Sequence, residues 1–230
     1  MSTSGTANFN PSFGEIGIYA FNLIGIRPTE ILQEHMQSLR MAANMLLSRW
    51  NAKSPNLWEV SLFTQPLSAG VSSYSYDPAI VTLLDTYISI LNTDGSTTDR
   101  LILPVTRTEY ASYPNKSMEG FPTVYWADRL LAPNITLWPV PDGTQTYLKY
   151  YYVNQIQDAA LQNGAQLDLP NYFLEPFALG LAARLAMIWA PSMATAMKAA
   201  ADEAYAIAYD QNTEAGDVFI SPMISGYWRT

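Results

Sequence analysis

The sequence predicts an α+β protein: a helical bundle formed by the N- and C-terminal helices, an all-β antiparallel insert between them, and an extended C-terminal tail. Three observations predict it. Apolar residues recur at helical spacing near both ends of the chain. From Leu57 the period becomes strand-like, and after Thr213 the chain is broken by Gly216, Pro222 and Gly226 before any element can form. The division that follows is 1–56 and 157–212 for the helical bundle, 57–156 for the β insert and 213–230 for the tail.

Residues 1–11 are small and polar and read as a mobile arm. Ser12 and Glu15 then form a capping-box pattern, in which each side chain satisfies a free N–H of a first helical turn. Ile16, Ala20, Leu23 and Ile24 follow at helical spacing, and Gly25 is placed to end that helix. A second helix is expected from near Pro28-Thr29, with Leu32, Met36, Leu39, Ala43, Leu46 and Trp50 as its apolar stripe.

Strands are expected over 57–63, 70–76, 80–91 and 100–104, with Asn92-Thr93-Asp94-Gly95 as a hairpin turn. A polar helical turn opens at Arg107, and Gly120-Phe121-Pro122 breaks it. Three aromatic-rich strands over 123–126, 134–138 and 146–153 then read as a β-meander, separated by Ala132-Pro133 and by Pro139-Val140-Pro141-Asp142-Gly143. The third helix follows Asp168-Leu169-Pro170, with Asn171 as its expected cap and Leu174, Phe177, Leu181, Leu185 and Ile188 as its apolar face. Pro191-Ser192 separates it from a fourth, alanine-rich helix over 193–209. Neither helical pair can bury its stripe within its own segment, so the 32–50 and 174–188 stripes are expected to pack together.

Composition narrows the function. The chain of 230 residues is 49% hydrophobic and 13% aromatic but only 14% charged, which favours large contact areas with other proteins. Its net charge of −8 argues against tight sequence-independent binding of duplex DNA, an affinity that comes from cationic side chains displacing counterions. With no cysteine there is no disulfide framework, thiolate zinc site or cysteine nucleophile. The apolar run 178–190 contains Arg184 and falls short of the ~20 residues of a membrane span, and no signal peptide is read at the N-terminus, so cytoplasmic synthesis is expected.

No phosphate-binding glycine loop, dinucleotide fingerprint or serine-nucleophile elbow occurs, and His35, the single histidine, reads as a packed or surface residue. No cofactor and no metal are expected. Glu109, Glu119 and Asp128 stand beside aromatics, which leaves two alternatives open: an aromatic-rich carbohydrate-binding module and a carboxylate-dependent glycan hydrolase. The tail supplies the candidate interaction residues. It carries Val218, Phe219, Ile220, Met223, Ile224, Tyr227 and Trp228, and of these Phe219, Ile224, Tyr227 and Trp228 are the expected docking side chains.

Several collinear motifs carry a family resemblance. Ala20-Phe21-Asn22-Leu23-Ile24-Gly25-Ile26 precedes a long helix ending in Met45-Leu46-Leu47-Ser48-Arg49-Trp50. The β region opens with Leu67, Gly70 and Tyr74. Tyr110, Lys116, Gly120, Pro122, Leu137, Pro139, Pro141 and Asp142 follow in order, and Leu169-Pro170 leads to Leu181-Ala182-Ala183-Arg184-Leu185-Ala186. This order resembles the head-to-tail connector, or adaptor, proteins of short-tailed bacteriophages. The resemblance implies a structural virion protein without enzymatic activity, made in the host cytoplasm and placed at the head–tail junction. It further implies a homo-oligomeric ring, a dodecamer by family, that contacts the portal protein and the tail nozzle or tail fibre proteins. Genomic DNA would pass through this ring without tight binding, and no membrane partner is implied.

Overall fold

In the computed structural model, which describes residues 5, 9–53, 56–162 and 164–213, the first element is α1 (Phe13–Leu23). Its start is the expected capping box: the Ser12 hydroxyl accepts the Glu15 N–H at 3.4 Å, and the Glu15 carboxylate accepts the Ser12 N–H at 2.8 Å. The chain turns at Gly25, whose φ of +85° lies in the left-handed region. A 3-10 turn (Pro28–Glu30) follows, and α2 spans Gln33–Lys53. The second helix therefore starts later than expected. Leu32 sits outside it and is exposed rather than part of the stripe, because its N–H is bonded to His35 Nδ1 at 3.1 Å, which caps the new start. The buried His35 ring also stacks on Trp189 at 4.1 Å and meets the edge of Phe21 at 5.6 Å, so the lone histidine is a packing residue.

The third and fourth helices are α4 (Asn171–Trp189) and α5 (Ala194–Gln211); α3 belongs to the β region. One apolar cluster joins both ends of the chain. It takes Phe13, Ile16 and Phe21 from α1, Leu39, Leu46 and Trp50 from α2, Phe173, Phe177, Leu181 and Leu185 from α4, and Tyr205 from α5. Trp50 is the hub, with ring centroids 5.4 Å from Phe173, 6.0 Å from Phe177 and 5.4 Å from Tyr205. Close approach of the helices depends on two glycines. A Cβ on Gly17 would lie 2.4 Å from Leu39 Cδ2, and one on Gly180 would lie 2.9 Å from Leu46 Cδ2.

Two details of α4 depart from expectation. Pro170, not Asn171, occupies the cap position and makes no side-chain bond there, and Ile188 is exposed because the apolar face has rotated past it by the last turn. At 19 residues α4 is also longer than its apolar run, and by length and hydropathy alone it could cross a membrane. Its side chains are instead the centre of the helical core, with Phe177, Leu181 and Leu185 fully buried against the other helices.

The β region forms one curled sheet of β1 (Val60–Pro66), β2 (Ser73–Ser75), β3 (Ile80–Leu91), β4 (Thr97–Pro104), β5 (Val124–Ala127), β6 (Asn134–Trp138) and β7 (Tyr147–Asn154), with α3 (Arg107–Ser112) between β4 and β5. The strand order is β1-β7-β3-β4-β5-β6-β2. Curling brings the concave faces into a second apolar cluster of Tyr74, Ile88, Ile102, Tyr125, Ile135, Leu137, Leu148 and Tyr150.

This order corrects the expected meander. β5 and β6 do pair as neighbours, but β7 leaves them and inserts between β1 and β3. The reason lies in Pro139 and Pro141. Neither has an N–H, so the chain after β6 cannot continue a hairpin ladder, and β6 pairs its other edge with β2 instead. The sheet is also not wholly antiparallel. β4 and β5 run parallel over Leu103↔Val124 and Pro104↔Tyr125, because α3 and its loop carry the chain back before it re-enters the sheet.

Strand limits shift as well. A 3-10 turn (Leu57–Glu59) delays β1, and β4 begins three residues ahead of Arg100 in the Asp94-Gly95 hairpin. β2 is cut to three residues because Gly70, with φ +74°, belongs to a turn whose N–H is held by the Pro141 carbonyl at 2.9 Å.

Candidate interaction surfaces

The residues from Tyr110 to Asp142 that carry the resemblance converge on one knob. Lys116 Nζ donates to the carbonyls of Tyr110 (3.1 Å), Ala111 (3.1 Å) and Tyr113 (3.0 Å), using all three of its protons to close the C-terminus of α3. The ammonium lies 5.1 Å from the Tyr110 ring. Tyr110 stacks on Trp126 at 5.5 Å, Tyr113 stacks on Trp138 at 4.2 Å, and Trp138 Nε1 donates to the Asn115 carbonyl at 2.9 Å. Gly120 bonds the Val140 carbonyl at 2.8 Å, and Asp142 folds its own turn by accepting from the Thr144 N–H and hydroxyl at 3.0 and 2.7 Å. These residues pin α3 onto β5 and β6. Their half-buried rings are stacked on one another.

The acidic residues beside those aromatics lie on α3, at an isolated bridge and just after β5. Glu109 is exposed on α3 and Glu119 is exposed next to its bridge to Val140. Asp128 Oδ1 accepts the Asn134 N–H at 3.0 Å and so holds the β5–β6 connection. Among the described residues no group of three or more His, Asp or Glu could hold a metal ion.

The convex face of the sheet carries a feature that the linear sequence hides. Leu62 and Tyr151 stand opposite each other on β1 and β7, and Tyr87 and Leu101 on β3 and β4. Tyr87 meets Tyr151 edge-on at 6.4 Å, and Leu103 continues the row. Leu62, Tyr151, Leu101 and Leu103 are 40–59% exposed, so an apolar ladder crosses four strands on the side facing solvent. Beside it Asp99 accepts from the Ser89 hydroxyl and from Lys149 at 3.1 Å, and these two, Ser89 first, hold its carboxyl below the ordinary value. At one end of the ladder, β1 pairs only with β7 among the described residues, leaving a strand edge. Period-2 alternation places these residues on one face, but only the strand order makes them neighbours.

Where sheet meets helices, Trp58 packs on Phe173 at 4.6 Å, and the adjacent Glu59 shares a hydrogen bond with Asp168. Burial first, and then the Asp168 charge, push the Glu59 carboxyl up to about 7. Sequence reading passed over this pair because its members are far apart in the chain.

The expected docking residues Phe219, Ile224, Tyr227 and Trp228 lie outside the described residues, as does most of the expected N-terminal arm. The described chain ends beside the junction, where Asn212 Oδ1 accepts the Leu57 N–H at 3.1 Å.

A helical core is joined to a curled sheet that carries an exposed apolar row. The family model described as SU10 adaptor protein matches residues 27–224, and the chain belongs to that family. It is thus a bacteriophage structural adaptor, a component of the virion at the head–tail junction that contacts other head and tail proteins. No curated protein matches the chain.

Proposed function

We propose that this chain forms a homo-oligomeric ring, a dodecamer, that seats on the portal and joins it to the tail nozzle or tail fibre proteins. The observation that carries this reading is the family match over residues 27–224, which takes in the sheet and the α2, α4 and α5 helices of the core. The ring encloses the path of the genome, and the net charge of −8 keeps passing DNA from adhering. No catalysis is required of it, and it works without a cofactor. It is made in the host cytoplasm before joining the particle.

In this reading, 1–56 and 157–212 act as the helical domain, 57–156 as the β insert and 213–230 as the docking tail. Phe219, Ile224, Tyr227 and Trp228 are the anchors, seating on a neighbouring subunit or on the portal. Repetition by symmetry reinforces each weak contact through effective concentration. The exposed ladder of Leu62, Tyr151, Leu101 and Leu103 and the β1 edge supply a further contact surface. Negative-stain images of the protein mixed with its own portal test the proposal: rings on the portal are expected, and unoccupied portals beside free monomers would refute it.

A further inference from the structure

A concentration of positive charge in this acidic protein lies in a recess among α2, α4 and α5. Arg49, Lys53, Arg184 and Lys198 line a cavity of about 180 Å³ together with one acid, Asp202. Four of the chain's 12 cationic residues therefore meet in one place, against a net charge of −8. Among the described residues none of the four makes a salt bridge within 4.0 Å; the pair within that distance is Lys149–Asp99 on the sheet. Arg49 and Lys53 are one turn apart on α2, a spacing at which like charges repel.

Arg184 is the half-buried member. One of its nitrogens donates to the Met45 carbonyl at 3.3 Å, while its charge is disfavoured first by burial and then by Arg49. Lys53 lies 3.9 Å over the Tyr205 ring, a cation–π contact at the edge of the recess. The floor is apolar, made of Leu46, Trp50, Gly180 and Met187. Four cations around one acid leave the recess with an excess of positive charge, which an anion would complete.

We propose that this recess binds a carboxylate-bearing segment of a partner protein, an acidic side chain meeting Arg49, Arg184 and Lys198 while a neighbouring aliphatic or aromatic group covers the floor. A recess of this size admits one side chain and its neighbour. The phosphates of duplex DNA lie on a stiff convex rod that cannot enter it, so the protein ligand is favoured over nucleic acid. The inference stands independently of the ring and of the portal.

The test uses the full chain, a short blocked peptide of alternating Asp and Leu, and random-sequence duplex DNA. Calorimetry at fixed ionic strength is expected to show saturable peptide binding, weakened about tenfold or more by Arg49→Gln and by Lys198→Gln. Both of these side chains are exposed, so their removal leaves the fold intact, while Arg184→Gln serves as a third variant whose melt is checked alongside. Lys116→Gln, remote from the recess, is expected to bind as the wild type does. Absent or non-saturable peptide binding would overturn the proposal. So would binding indifferent to Arg49→Gln and Lys198→Gln, or duplex DNA that displaces the peptide and loses its affinity in the same two variants.

Discussion

At the scale of single residues, the strongest feature is a carboxyl held against its preference. Glu59 begins from an ordinary value of 4.5 and is pushed up to about 7 by burial and by Asp168. A group whose folded value is raised binds its proton more tightly in the fold than in the unfolded chain. Its stabilisation is therefore complete below the ordinary value and is lost as pH rises through about 7. The thermal midpoint of the wild type is expected to fall between about pH 5 and pH 8, and Glu59→Gln, which keeps a donor toward Asp168, should flatten that fall. A variant with the same slope as the wild type would show that another group sets it. Lys116 offers a second residue-scale outcome. Lys116→Met removes three bonds, two to α3 carbonyls and one to the Tyr113 carbonyl just past it, and should cost about 1 kcal/mol, whereas Lys116→Arg should not restore it, because a planar guanidinium cannot reach three convergent oxygens. Equal chemical-denaturation midpoints for wild type and Lys116→Met would contradict that role.

At the scale of elements, the helices were the most legible part of the sequence. The Ser12–Glu15 box, the α2 stripe from Met36 to Trp50 and the α4 face from Leu174 to Leu185 are local patterns whose physics is contained in a few turns, and each appears close to where it was read. The strands were legible one by one, and their order was not. β7 abandons its sequence neighbour β6 for β1 and β3, and β4 meets β5 in parallel, outcomes decided by distant partners and by where Pro139 and Pro141 withhold N–H groups. The same non-locality hid the convex ladder and the Glu59–Asp168 pair. The family motifs from Tyr110 to Asp142 were visible as a string, while their role as a scaffold came only from the stacking and capping geometry.

The helical packing can be tested at two points. Gly17→Val drives a branched side chain into Leu39, whose Cδ2 would lie 2.4 Å from a Cβ at that position, and should destabilise by about 2 kcal/mol despite the gain in helix propensity over glycine. Leu181 is fully buried, and Leu181→Asp places an unpaired charge there and should prevent folding. A soluble, cooperatively melting Leu181→Asp chain would contradict the packing described for α4.

For the whole molecule, charge and shape divide the labour. The sheet supplies an apolar row on its convex side, the helices gather cations in one recess, and the remainder is acidic. An adaptor of this kind should not retard duplex DNA at physiological salt. A dissociation constant tighter than about micromolar, the range of sequence-independent binders, would contradict the account of its charge. The central proposal is that this chain assembles on a portal through residues 213–230, seated on a neighbouring subunit or on the portal itself, and co-sedimentation of the portal with the full chain and with a chain lacking those residues tests it most directly. The account predicts that the full chain pellets with the portal, while the shortened chain stays in the supernatant with an unchanged thermal midpoint; pelleting of both forms alike, or of neither, would contradict it.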